Sequence, residues 1–315
     1  MLEEKTKYYK NLDTEIKNQN IFKKTGRTIV TLTHDGPFKA FFGRNPDYLK
    51  EFLILETNLN LNPNEVSITF DSEEFPIENK TGRGYRVDIL VYLNDNIIAN
   101  VEANGKKYDD IMYRNLIYMA KLTGNSLLKK GEKTDNLKKM KLLQLNINTN
   151  EKDNKFGEDI LKLEGKHIKA KNFQVMIKNV AYYRKLYYNK AKLNKADLWL
   201  VFLSSKTYSE AYEVLCQMYD DENHINQIME EVIKLNRNKK ILTNWEAQML
   251  EDLANYTEKE NAIKEGREQG IKEGIKEGKL EQKIETVKNL LKENIDINII
   301  SKVTGLSLKE IENLK

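Results

Sequence analysis

Two acids, Asp88 and Glu102, stand inside otherwise apolar text. They lie in the runs YRVDILVY and IIANVEAN, which are joined by NDN. Carboxylates brought together repel, raise a pKa and need a compensating cation. The nearby charge in the local sequence is Arg86. A hard divalent ion answers the same need, because Mg²⁺ prefers oxygen ligands and keeps waters or substrate phosphates in its shell. Such an ion polarises a phosphodiester and lowers the pKa of attacking water. The Ala103 carbonyl is a further candidate oxygen.

That chemistry requires the acids to share a face. Side chains alternate along a strand, so Asp88 goes with Arg86 and Leu90, and Glu102 with Ile98, Asn100 and Asn104. A three-residue loop, Asn94–Asp95–Asn96, pairs Leu93 with Ile97 and carries the ladder on to Asp88 opposite Glu102. A two-residue loop pairs Asp88 with Val101 and separates the acids, unless a bulge intervenes. Alternation alone equally fits a half-exposed hairpin with both acids in water.

The composition sets wider bounds. The chain of 315 residues is long enough for a large core plus an appendage. With 40% hydrophobic residues, 16 Tyr and 10 Phe, its 32% charge does not mean disorder. One Cys and three His exclude a disulfide scaffold and argue against a Cys/His zinc site; Cys216 reads as a buried helix residue. The net charge of +4 permits a nucleic-acid partner without arguing for one. No apolar run is long enough to span a bilayer, and MLEEKTKYYKNLD has no apolar signal core. The expectation is a cytoplasmic protein with no membrane contact.

Around the acids the periodicity predicts supporting elements. HDGPFKAFFGRNPDYLKEFLILE reads as one helix, with Pro37 in its first turn and an apolar side running through Phe38, Phe41, Phe42, Leu49, Phe52 and Leu53. VSITF and MKLLQLNIN read as strands, KNFQVMI as a third candidate, and NTNEKDNKFGED as a loop. KKYDDIMYRNLIYMAKLTG reads as a helix stopped by Gly124. From Lys195 the text is helical. This order makes an α/β core followed by a helical half.

The residues also resemble a known group. Asp88, a hairpin, then Glu102-Ala103-Asn104, flanked by helices, resembles the core of the PD-(D/E)XK nuclease superfamily. The closer likeness is to the Rpn group of recombination-promoting nucleases, also described as PD-(D/E)XK family transposases. The leading segment Asp35-Gly36-Pro37-Phe38-Lys39-Ala40-Phe41-Phe42-Gly43 and the later Tyr113-Arg114 with Tyr118 carry that likeness. It spans roughly residues 30 to 285. It implies a restriction-endonuclease-like fold, a mixed central sheet flanked by helices, followed by a helical region and a Gly-spaced charged tail.

The resemblance further implies that Asp88 and Glu102 hold Mg²⁺, with Mn²⁺ as a substitute. The implied reaction is metal-dependent hydrolysis of DNA phosphodiesters, in recombination or in mobile-element or phage-related DNA processing. Asn104 falls where the superfamily has Lys and the Rpn group usually Gln. An amide can hydrogen-bond a water but is neither base nor cation, so Lys39, Lys106 or Lys107 would have to supply charge. The alternative is a catalytically degenerate relative that serves as a DNA-binding or protein-interaction module. Arg114 and Tyr118 share a helix face; Arg114 either clamps a phosphate or pairs with Asp110, and Lys39 is a further phosphate-binding candidate. Glu51 and Glu56 are candidates for the extra acid of the first helix, with Glu56 preferred. AYYRKLYYNK either lines a DNA channel or packs into the core.

In the tail, Gly266, Gly270, Gly274 and Gly278 recur every four residues. Each weakens a helix relative to Ala, which points to close helix–helix approach, hence self-association or a protein partner, or else to a charged linker. Beyond it, helices flank IDIN, and Ser307 with Glu310 reads as a capping box; T-G-L-S resembles a helix-turn-helix turn. The expected divisions are an arm (1–30), the nuclease-like core (31–194), a helical region (195–260), the Gly-spaced segment (261–283) and a small helical element (284–315).

Overall fold

The computed structural model describes residues 2–17, 27–57, 59–71, 74–75, 85–86, 88–94, 96–104, 108–126, 141–152, 154–164 and 169–314. It forms two compact units, residues 1–246 and 247–315.

The first unit is built on a mixed six-stranded sheet in the order β1-β4-β5-β6-β8-β7. The strands are β1 (Ile68–Asp71), β4 (Ile89–Leu93), β5 (Ile97–Asn104), β6 (Lys141–Asn148), β7 (Glu158–Glu164) and β8 (Lys169–Asn179). Two short strands, β2 (Glu74–Phe75) and β3 (Tyr85–Arg86), pair separately. β5 runs antiparallel to β4 and parallel to β6, which is parallel to β8.

One face of the sheet carries Val91, Val101, Leu145 and Met176 into the main core. Against it pack α2 (Asp35–Arg44), α3 (Pro46–Glu56), α6 (Lys195–Leu203), α7 (Tyr208–Met218) and α8 (Glu222–Asn236), and α1 (Leu2–Lys17) adds Tyr9. The other face carries Leu90, Ile98, Leu142 and Val175 against Tyr118 and Met119 of α4 (Tyr108–Ser126). A helix on each side thus shields β5 from water on both faces. Cys216, expected to be buried, is half-buried on α7.

Several elements depart from the expectations. The single helix predicted across residues 34–56 breaks at Asn45, whose backbone leaves the helical region (φ −129°, ψ 70°). Pro46 offers no N–H and pushes its predecessor out of the helical region; the Asn45 side chain ties the break by donating to the Phe41 carbonyl (2.7 Å). α4 runs past Gly124 to Ser126, an ordinary displacement of a helix end. Within GEDILKLE, read partly as loop, lies the edge strand β7. The tyrosine-rich AYYRKLYYNK forms α5 (Val180–Tyr188).

The second unit contains most of α9 (Lys239–Lys292), then α10 (Ile297–Thr304) and α11 (Leu308–Glu312). Val287, Ile300, Leu306 and Ile311 form its small core. Asp296 caps α10, and the predicted Ser307–Glu310 capping box is present. α9 continues through its four spaced glycines, and a Cβ at any of them would meet nothing within 4 Å. Among the described residues, no helix is long and apolar enough to cross a membrane.

Gly305 ends α10 in the left-handed region (φ 70°), donating its N–H to the Ser301 carbonyl at 2.8 Å. An added Cβ would lie 3.7 Å from Lys283 Nζ, an ordinary contact, so the burden of Gly305→Ala is conformational. It is expected to weaken this unit by about 1 kcal/mol. Amide exchange at Ile300 and Ile311 should then speed up by about fivefold.

Candidate active site

The β4–β5 turn has the length that brings the acids together. Leu93 pairs with Ile97, and the antiparallel ladder ends at Ile89–Val101. Asp88 and Glu102 are the next positions along their strands. Asn94 turns the chain with positive φ (50°), a conformation Asn tolerates well.

The neighbours of Asp88 come from two elements. The Ala103 N–H donates to its Oδ2 (3.2 Å), so the carboxylate is held against the backbone of the Glu102 strand. Lys39 Nζ, from α2, lies 3.4 Å from its Oδ1 and 2.6 Å from Asp35 Oδ1. Burial pushes Asp88 up to about 6; Lys39 opposes the rise, Asp35 adds to it, and the Ala103 N–H opposes it.

Glu102 is fully buried. Arg114 Nε, from α4, is 3.4 Å from its Oε2, and Asn100 Nδ2 donates to its Oε1 at 3.4 Å. Oε2 itself accepts no hydrogen bond. Burial, then the charge of Asp88, push Glu102 up to about 7, against the pull of Arg114, Asn100 and the Tyr118 hydroxyl. The Arg114 guanidinium lies over the Tyr118 ring, 5.1 Å from its centre. Burial raises Tyr118, and the Glu102 charge adds to the rise, so its phenol stays protonated as a donor.

Asp88, Glu102, Ala103, Lys39, Arg114 and Tyr118 are therefore gathered by contact. Asn104 ends β5 two positions beyond Glu102 on the same face, beside Asn148 of β6. Among the described side chains, the cations that oppose the acids are Lys39 and Arg114. The side chains of Arg86 and Asp110, and residues Lys106 and Lys107, lie outside the described residues.

Glu56 is placed elsewhere. Its Oε2 lies 3.1 Å from Lys178 Nζ on the main-core side of the sheet, and Lys178 also binds Glu158 at 2.6 Å. Glu51 pairs with Lys195 (2.6 Å) and accepts from the Tyr219 hydroxyl (3.1 Å). The acid from the α2 start that reaches the site is Asp35, which shares Lys39 with Asp88 and helps push the Asp88 carboxyl up. Its signal was the Asp35–Lys39 spacing of four at a helix start, where an acid and a cation share one face.

In α5, Arg184 donates to the Ser204 carbonyl (2.7 Å) and pairs with Glu210 (2.9 Å), an internal tether from this helix to α6 and α7. Tyr183 is buried against Gly157, where an added Cβ would come within 2.8 Å of its ring. Among the described residues, no group of three His, Cys, Asp or Glu side chains is close enough to hold a metal ion.

Comparison with known proteins agrees with this architecture. A model of the family described as PD-(D/E)XK nuclease family transposase matches residues 32–263, well over half of the chain. No curated protein and no solved structure matches. The matched span contains the α2 segment, both acidic strands and α4, and the fold around them is a mixed sheet flanked by helices with a helical region after it. The chain belongs to the PD-(D/E)XK nuclease family transposases.

Proposed function

We propose that the protein is a metal-dependent DNA endonuclease that hydrolyses phosphodiester bonds. The observation that carries this reading is the pair of carboxylates, half-buried Asp88 and buried Glu102, at the same end of adjacent strands with Lys39 and Arg114 beside them. The donor set fits a hard cation. Two carboxyls are held above their ordinary range by burial, and a buried Glu102 oxygen accepts no hydrogen bond. Mg²⁺ needs only one or two protein carboxylates and fills its remaining positions with water and phosphate oxygens.

Asp88, Glu102 and the Ala103 carbonyl would hold Mg²⁺, or Mn²⁺ in its place. When bound, the ion polarises the phosphoryl group and makes a bound water more acidic. Asn104 would orient a water by hydrogen bonding and cannot take its proton. Lys39 provides, from α2, the positive charge that position 104 lacks. Arg114, supported on the Tyr118 ring, is the group for a substrate phosphate once Glu102 is shared with a cation. By the same reading DNA is the partner, the compartment is the cytoplasm, and recombination or mobile-element processing is the role. The exposed Gly-spaced stretch of α9 is then a surface for self-association or a protein partner.

A second reading is a DNA-binding or protein-interaction module with an eroded site, favoured by Asn104 and by the absence, among the described residues, of three His, Cys, Asp or Glu side chains placed to hold one metal ion. Plasmid nicking separates the two. The purified protein is expected to nick supercoiled DNA only with Mg²⁺ or Mn²⁺. Asp88→Ala and Glu102→Ala are each expected to lower the rate by roughly 10³-fold or more with DNA binding retained. Cleavage unchanged in both variants would sink the assignment; DNA binding without cleavage under any metal would favour the second reading.

A further inference from the structure

Behind Glu102 lies a buried set of amides that the reaction as described leaves unused. On the sheet face toward α4 the side chains form rows across β5 and β6, in register. Ile98 and Leu142 are apolar and belong to the small core on that side. The next rows are Asn100 with Gln144, then Glu102 with Asn146. α4 covers them with Asn115, one residue beyond Arg114. All four amide side chains are fully buried.

Their bonds run in one direction. Asn115 Oδ1 accepts from both Gln144 Nε2 and Asn146 Nδ2, each at 3.3 Å. With its nitrogen committed to Asn115, Gln144 turns its Oε1 to Asn100, which donates from Nδ2 at 2.8 Å. The same Asn100 nitrogen faces Glu102 Oε1. Reversing Asn100 would set its carbonyl oxygen against both Gln144 Oε1 and the Glu102 carboxylate. The acceptor on α4 thus dictates, through Gln144, which end of Asn100 meets Glu102.

A role in packing alone is a poor account of this set. Asn100 Oδ1, Asn146 Oδ1 and Asn115 Nδ2 are buried without a hydrogen bond. A partly satisfied polar network is worse for stability than apolar side chains of the same shape. Its return must lie in fixing geometry, as groups behind metal-binding side chains do.

We propose that Asn115 and Gln144 are positioning residues for Glu102. They lock Asn100 as a donor to Oε1 and so leave Oε2 turned toward Arg114. This rests on the reading of Glu102 as a metal-holding residue.

The test is calorimetric titration of Mn²⁺ into the full-length protein, with thermal melts recorded for each variant. Wild type is expected to bind Mn²⁺ and Glu102→Gln to lose it. Asn115→Leu, close in volume but without an acceptor, is expected to weaken Mn²⁺ binding about tenfold. Asn115→Asp keeps the accepting oxygen and, protonated in so buried a place, puts a hydroxyl where the nitrogen made no hydrogen bond, so it should restore affinity to within about threefold of wild type. Gln144→Met breaks the relay on the sheet side, is expected to match Asn115→Leu, and decides the matter should Asn115→Leu not fold. Wild-type affinity in the relay-breaking variants overturns the proposal, as does an Asn115→Asp loss equal to that of Asn115→Leu. Absence of Mn²⁺ binding by wild type overturns instead the metal reading of Glu102, and this inference with it.

Discussion

Lys178→Met is expected to destabilise the protein by about 3–5 kcal/mol at pH 8, the usual result of stripping one partner from a buried ion pair. Lys178 is almost enclosed, and the Glu56 side chain is wholly so. Burial alone would lower the Lys178 pKa, but Glu56 and Glu158 outweigh it and keep the ammonium charged. Without that ammonium, Glu56 is a carboxylate with no compensation between α3 and β8. Burial already holds Glu56 up at about 7 with Lys178 present. Its folded pKa lies above its unfolded one, so the folded state binds more protons between the two values and stability falls as pH rises through them. The loss in Lys178→Met should therefore be greatest above pH 7 and shrink in mild acid. Urea unfolding followed by fluorescence of the buried Trp199 measures it. Adding Glu56→Leu should recover most of the loss, because an apolar pair of similar size is close to neutral. A loss no greater in Lys178→Met than in an exposed Lys→Met control would show that the pair bears little weight.

Glu102→Gln should move activity and stability in opposite directions. Cleavage is expected to fall by roughly 10³-fold. In EDTA at pH 8, the same variant should be more stable than wild type by roughly 1–3 kcal/mol. The wild-type carboxyl is pushed up to about 7 from its ordinary 4.5 by burial and by Asp88. Ionising it at pH 8 therefore opposes folding, and the amide removes that opposition. The sign fixes the pH window. The wild-type penalty is nearly absent at pH 4.5, grows toward pH 7 and is flat above it. The melting temperatures of the two proteins should converge in acid and separate above neutrality. Divalent ions should close the gap from the wild-type side by stabilising only the protein that binds them. A variant less stable than wild type at pH 8 in EDTA would mean that Arg114 and Asn100 hold Glu102 more strongly than burial opposes it.

The parts of the site that lie close along the chain were legible in the sequence. Alternation marked β4 and β5, while the loop length, open between two and three residues in the sequence, is fixed in the structure by the pairing of Leu93 with Ile97. The Ser307 capping box was legible for the same local reason. What escaped were partners from distant elements. Nothing in the hairpin text says that Lys39 comes to Asp88, or that Lys178 captures Glu56. The break at Asn45–Pro46 matters here, because with it α2 carries Asp35 and Lys39 to the site while the Glu56 end of α3 meets Lys178. LLQLNIN misleads in another way. Its Gln144, Asn146 and Asn148 alternate with apolar residues as a water-facing row would, yet all three are buried. Polarity in strand periodicity marks a face that needs hydrogen-bond partners, and here α4 and neighbouring strands provide several of them.

The tip of the hairpin lies at the opposite end from both acids. A single codon gained or lost at Asn94–Asn96, if absorbed by β4 sliding against β5, would swing Asp88 through the sheet and leave Glu102 behind. Every acid, lysine and arginine would still be spelled out in order, and the gene would look intact. In this chain, the length of the spacer between the two acids therefore says as much about whether they can meet as the acids themselves do.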